Sequence, residues 1–157
     1  MEYITVNQIN KPNYMSIRFS SQSGDFELCE PQKVKDWLSD VIHRRGKSVG
    51  NINYLFCDDD YLIGVNRQYL DHDTYTDIIT FDYVAGGLIS GDILISVERV
   101  GENAVKFSVP FEHELHRVIV HGVLHLLGQG DKTDDEAREM RRQEEEALAL
   151  FHEERKA

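Results

Sequence analysis

The stretch His121-Gly122-Val123-Leu124-His125-Leu126-Leu127-Gly128-Gln129-Gly130-Asp131 constrains this chain more than any other. With Val118-Ile119-Val120 just before it, apolar side chains cover nearly the whole circumference of a helix, and such a helix belongs inside a protein. Histidines placed there need partners, because an unpaired ionisable group is costly to bury. At about 3.6 residues per turn, His121 and His125 stand one above the other on a single face, where both imidazoles can reach one ion. Gly128 suits the left-handed residue that ends a helix, after which the chain can swing back and bring Asp131 round as a third ligand. Three protein ligands leave one coordination position open, which is the mark of a catalytic zinc site. One Zn2+ ion is therefore expected on His121, His125 and Asp131.

The rest of the chain has to wrap that helix. Its 157 residues, 41% of them hydrophobic, suit one domain over residues 1–157. A net charge of -11 excludes a general electrostatic attraction to nucleic acid or to an anionic membrane, so any RNA must be met by a local basic patch. Much of the acidic excess lies in Asp134-Asp135-Glu136 and Glu144-Glu145-Glu146, which read as a solvated helix face. Cys29 and Cys57 supply neither a disulfide framework nor a four-cysteine zinc site, which fits a reducing compartment. No run of about 18 apolar residues occurs, and the N-terminus lacks a basic segment followed by an apolar core. A soluble, cytoplasmic protein without membrane association is expected.

Along the chain, residues 3–8 and 14–20 read as short strands separated by the turn formers Lys11-Pro12-Asn13. Val34, Trp37, Leu38, Val41 and Ile42 recur at helical spacing between Pro31 and Arg45, with Gly46 as the stop and Trp37 as a core anchor. Arg44, Arg45 and Lys47 complement the end of that helix dipole. Asn51 to Cys57 is a strand by composition, and Asp58-Asp59-Asp60 supplies capping carboxylates for a helix bearing Leu62, Val65 and Tyr69. A polar loop over 71–77 leads into strands over 78–83 and 91–96, paired as a hairpin around Gly86-Gly87 and flanked by Asp82 and Asp92. A helix from Val97 to Phe107 follows, and Pro110 opens the metal-site helix. On that helix His116 lies about 140° round from His121, so it is expected not to share the ion and to serve at the surface or behind the ligands. Thr133 to Glu136 forms a capping box for a last helix carrying Ala137, Met140, Ala147, Leu148 and Phe151.

Several of these blocks together resemble the YbeY family of ribosome-associated, metal-dependent endoribonucleases. His121-Gly122 with Leu124 to Gly128 is similar to the family signature. Asn66 and Tyr69, then Thr76-Asp77-Ile78-Ile79 with Phe81, then Gly91-Asp92-Ile93 with Ile95-Ser96, follow in the family's order. The resemblance implies a zinc-dependent endoribonuclease in ribosomal RNA processing, at the 3′ end of 16S RNA, and in ribosome quality control. Ribosomal RNA and the ribosome would be its partners. Two positions depart from the family pattern. Asp131 stands where a third histidine is usual, a tolerable change because carboxylate oxygen and imidazole nitrogen bind zinc at nearly equal distances. Its added negative charge should leave bound water somewhat less acidic. Leu70 stands where the family commonly carries an arginine that the resemblance links to catalysis. Arg67, one turn earlier on the same helix face, is the candidate catalytic cation in its place, with Lys132 as a second candidate.

Two other functions share part of this pattern. The ligand spacing is also that of the metzincin peptidases, but those place a glutamate after the first histidine, and Gly122 would need a base from elsewhere, such as Glu114. A non-catalytic ribosome assembly factor would use the metal structurally and need a fourth ligand, with His72, Asp77 or His116 as candidates. The expected fold is a single α+β domain with about five helices around a small mixed sheet of about four strands, the metal-site helix at its centre.

Overall fold

Alternation builds the sheet. Ile52, Tyr54 and Phe56 are buried on one face of a strand whose intervening residues Asn51, Asn53 and Leu55 are only partly covered. The computed structural model describes residues 15–71 and 75–156, with side chains through 153. Within them the chain forms β1 (Ile17–Ser21), α1 (Pro31–Arg44), β2 (Ser48–Cys57), α2 (Asp59–Leu70), β3 (Ile78–Asp82), β4 (Leu88–Ser96), α3 (Val97–Lys106), α4 (Phe111–Leu126) and α5 (Asp134–Lys156). Five helices and four strands among the described residues make the expected single α+β domain. The strand anticipated over residues 3–8 lies outside the described residues.

The sheet order is β1-β2-β4-β3, with the first three strands parallel and β3 antiparallel along one edge. Both β2 and β4 start three residues before their sequence-based bounds, because Ser48 and Val49 pair with Leu88 and Ile89 ahead of an irregularity in the ladder. Pairing with a neighbour recruits residues such as Gly50 and Ser90 that composition alone does not favour in strands. The hairpin between β3 and β4 forms as expected, but Asp82 and Asp92 sit one pair out of step, opposite Gly91 and Phe81. They therefore point to opposite faces of the sheet.

Helices α1, α4 and α5 cover one face and enclose the main core. Trp37 is fully buried there, and its indole N–H donates to the Ala147 carbonyl at 2.8 Å, tying α1 to α5. The Tyr54 hydroxyl donates to the Ile119 carbonyl at 2.7 Å, tying the central strand to α4. On the opposite face α2 packs Leu62 against Cys57, Ile79 and Leu94. Asp58 caps α2 by accepting the Tyr61 amide at 2.8 Å. Asp59 does something different from capping: it accepts the Ser96 hydroxyl and pairs with Arg99, both at 2.7 Å, locking α2 to the start of α3.

Close approach fixes where α4 lies. A Cβ on Gly122 would stand 2.9 Å from Ile93 Cδ1, and one on Gly91 would stand 2.6 Å from the Phe81 carbonyl oxygen and 2.8 Å from a Leu126 methyl. These two glycines let the helix rest directly on β3 and β4. His116 corrects the expectation of a surface or supporting role: it is buried, with its ring against Phe151 and Trp37 at centroid distances of 4.6 and 6.0 Å. Its aromatic neighbours come from α1 and α5, elements whose proximity no local pattern reveals.

Candidate metal centre

Helix α4 runs one turn past His121 to His125, and the backbone then turns sharply. Gly128 takes a φ of 100°, and the Gly128 and Gln129 amides close the helix end on the His125 and Leu124 carbonyls. The returning segment brings Asp131 Oδ2 to 3.4 Å from His121 Nε2 and 3.5 Å from His125 Nε2. Candidate ligand atoms of these three residues all lie within 4.8 Å of one another, so the group could hold a metal ion. The fit to zinc is close: tetrahedral ligands at about 2.0–2.1 Å from an ion stand roughly 3.3 Å from each other.

Both imidazoles are held from behind. His121 Nδ1 lies 2.6 Å from Glu144 Oε2, and His125 Nδ1 lies 2.9 Å from the Gln129 carbonyl oxygen. With Nδ1–H donating to these oxygens, each Nε2 presents a free lone pair to the same point. Glu144 is 2% exposed, which corrects its reading as part of a solvated acidic run; Glu145 and Glu146 beside it are exposed. The signal was present in the helix period, since Glu144 falls on the buried stripe of Met140, Gln143, Ala147, Leu148 and Phe151. Arg117 completes the arrangement. Its Nη1 donates to Glu144 Oε1 at 3.0 Å, its Nε donates to Glu114 Oε1 at 3.0 Å, and its Nη2 pairs with the other Glu114 oxygen. Burial by itself would raise the Glu144 pKa, but the His121 hydrogen bond and the Arg117 charge outweigh it and hold the carboxyl below its ordinary value.

The three residues open onto a cleft of about 720 Å³ whose walls come from Asn66 and Leu70 of α2, Asp77 and Thr80 at the β3 edge, and Lys132 beyond the turn. Burial raises the Asp77 pKa, against the lowering effect of His121 and Arg117. Asp77 thus borders the site while standing outside the three-residue ligand group. Leu70 lines the cleft; Arg67 is exposed on α2, which turns Asn66 and Leu70 into the cleft. Of the other fourth-ligand candidates, His116 lies in the core and His72 is outside the described residues. Glu114 is 1% exposed and engaged by Arg117, and it does not line the cleft. A glutamate in place of Gly122 would start into Ile93 and Ile78, so the peptidase arrangement has no room here.

Known proteins share both the sequence and the shape. The family model described as Endoribonuclease YbeY matches residues 18–152. Endoribonuclease YbeY of Flavobacterium psychrophilum is 56% identical over 128 residues, spanning 82% of this chain and 91% of the relative. The protein of that name from Porphyromonas gingivalis is 50% identical over 137 residues, spanning 87% of this chain and 91% of the relative. The solution structure of TM1509 from Thermotoga maritima superposes with a TM-score of 0.62 at 25% identity, covering 89% of this chain and 91% of that one. A match that runs from β1 into α5 and takes in every residue of the candidate metal centre makes this chain a member of the YbeY endoribonuclease family.

Proposed function

We propose that the protein is a zinc-dependent endoribonuclease that processes ribosomal RNA in the cytoplasm, including the 3′ end of 16S RNA, and acts in ribosome maturation and quality control. The observation that carries this reading is the convergence of His121 Nε2, His125 Nε2 and Asp131 Oδ2 at the edge of an open cleft. Three donors suit an ion with one position left for substrate or water. A zinc ion held there would supply Lewis acidity toward a phosphate oxygen.

The chain's own groups do the rest. Lys132 lines the cleft and offsets charge that builds on the phosphate; Arg67, exposed on α2 and outside the cleft lining, is the second candidate only if RNA extends over that helix. Asp77 lines the cleft beside the three donors, and its carboxylate oxygen is the acceptor for the proton that the attacking group loses. Leu70 presents apolar surface to the cleft, so it contributes packing against a sugar or base and no charge. Asp77, Asp82 and Asp131 outnumber Lys132 along the cleft, and the whole chain is acidic. Free RNA should therefore bind weakly and in a salt-sensitive manner, with the ribosome delivering the substrate.

The test is incubation of zinc-loaded protein with ribosomal RNA and with 70S ribosomes, beside His125→Ala and Arg67→Ala. Defined products from the wild type, lost in His125→Ala, are expected, with Arg67→Ala slowed by about 10-fold or more if its charge acts on the transition state. Unchanged cleavage by folded, metal-loaded Arg67→Ala removes that residue from the mechanism. Metal-loaded wild type that binds ribosomes and cleaves nothing would point instead to an assembly factor.

A further inference from the structure

The last helix reaches all three candidate ligands. Glu144 holds His121 at 2.6 Å. Its neighbour Gln143 donates to the Gln129 side chain at 2.9 Å, and the Gln129 carbonyl oxygen in turn stands 2.9 Å from His125 Nδ1. About two helical turns closer to the start, Glu136 accepts the Lys132 and Thr133 amides at 3.1 and 3.2 Å, fixing the segment that carries Asp131. An isolated aspartate on a loop and two histidines on another helix would each have to be ordered when an ion arrived. Here contacts from α5 hold all three side chains toward one point, which lowers the ordering cost of binding an ion.

We infer that Glu144 is a positioning residue for the metal: its carboxylate fixes the His121 ring in the Nδ1–H tautomer with Nε2 toward the site, and Arg117 keeps that carboxylate in place. The inference rests on the metal-site reading above. Three features support a task beyond packing. Glu144 is a buried carboxylate on an otherwise mainly apolar stripe, and desolvating it would be costly without a purpose that apolar packing could not serve. Its two oxygens are divided, one to His121 and one to Arg117, so a single group both orients the ring and is itself oriented. Arg117 is clamped from its far side by Glu114, which prevents the guanidinium from following Glu144 if the helices shift. A carboxylate behind a metal-bound imidazole also makes the ring a better donor, and loss of such partners typically weakens metal binding about 10–100-fold.

Glu144→Gln keeps the shape, but with its one oxygen on Arg117 its amide N–H faces His121 Nδ1 and can only donate to it, which puts the ring proton on Nε2 and away from the tautomer the ion needs. Glu144→Asp keeps the charge and the Arg117 pair but is one methylene too short to hold His121 as well. Two measurements follow on the full chain: zinc affinity by competition with a chromophoric chelator, and the ring 15N shifts of His121 in the metal-free protein, which report the tautomer. The expected result is tight zinc binding and an Nδ1–H tautomer in the wild type. Each folded variant should bind zinc about 10–100-fold more weakly and lose the uniform Nδ1–H tautomer of His121. Either variant, folded by circular dichroism, with wild-type affinity and tautomer would overturn the inference. A wild type that binds no zinc would instead overturn the metal-site reading. If Glu144→Gln does not fold, Glu144→Asp decides, because it leaves the buried arginine paired.

Discussion

Gly91→Ala and Gly64→Ala are the same chemical change at two places, and the structure assigns them opposite signs. At Gly91 the added methyl meets the Phe81 carbonyl oxygen at 2.6 Å and the Leu126 methyls at 2.8 and 3.1 Å. The carbonyl belongs to β3, which is paired with β4 along its length, so it cannot retreat without breaking ladder hydrogen bonds. Overpacking of this kind costs about 1–3 kcal/mol, and removing a strand glycine returns about 0.5–1 kcal/mol, leaving a net loss of roughly 1–2 kcal/mol. At this chain length each 1 kcal/mol moves Tm by about 2–4 °C, so a fall of roughly 2–8 °C is expected. The effect should reach the metal centre as well, since Leu126 directly follows His125 and β3 forms the facing wall of the cleft. Gly64 lies exposed within α2 with nothing within 4 Å of the new methyl, and alanine there should stabilise by about 1 kcal/mol. Urea unfolding at matched slopes, with zinc affinity measured on each folded variant, decides the matter. A Gly91→Ala protein as stable as wild type, with unchanged zinc affinity, would refute the close seating of α4 on β3 and β4.

Three further outcomes are expected. In the metal-free protein Asp77→Asn should raise stability at neutral pH, because burial lifts the Asp77 pKa and the folded state is penalised wherever that carboxyl is ionised; the gain should vanish as pH falls below the ordinary aspartate range, and cleavage should be slowed at every pH. A pH series of urea melts checks this, and a gain that grows toward acid would contradict it. Zinc at about 100 times its dissociation constant should stabilise the wild type by about 2.7 kcal/mol, roughly 5–11 °C in a thermal melt, and should leave His125→Ala nearly unmoved. Under native conditions a thiol reagent should modify exposed Cys29 and spare Cys57, whose thiol burial and the nearby Asp58 and Asp59 push up to about 12; both should react after denaturation.

Much of the centre was legible in one dimension because its parts are local. His121 and His125 share a face through the helix period alone, Gly128 marks the turn by its lack of a Cβ, and Asp131 follows within reach of one reversal. The helices were legible for the same reason: Trp37, Leu38 and Val41 repeat at helical spacing, and Thr133 with Glu136 announces the start of α5. What sits behind the ligands was not legible as function. Glu144 looked like one of three surface glutamates, and Arg117 like an ordinary helix residue, because their meaning depends on α4 and α5 lying side by side.

The amino-acid sequence by itself thus determined the α+β class and the family, and it singled out the three residues that the fold brings together as a candidate metal site, since each depends on periodicity, caps and spacing within short segments. Tertiary structure alone decided the strand order β1-β2-β4-β3, the burial of His116 between rings from α1 and α5, and the alignment of Glu144 and Arg117 behind His121. The physical reason is separation along the chain. A helical or strand period governs neighbours a few residues apart. The partner of a buried charge more than a turn or two away is chosen by which surfaces the whole core brings together, and by the cost of leaving that charge alone.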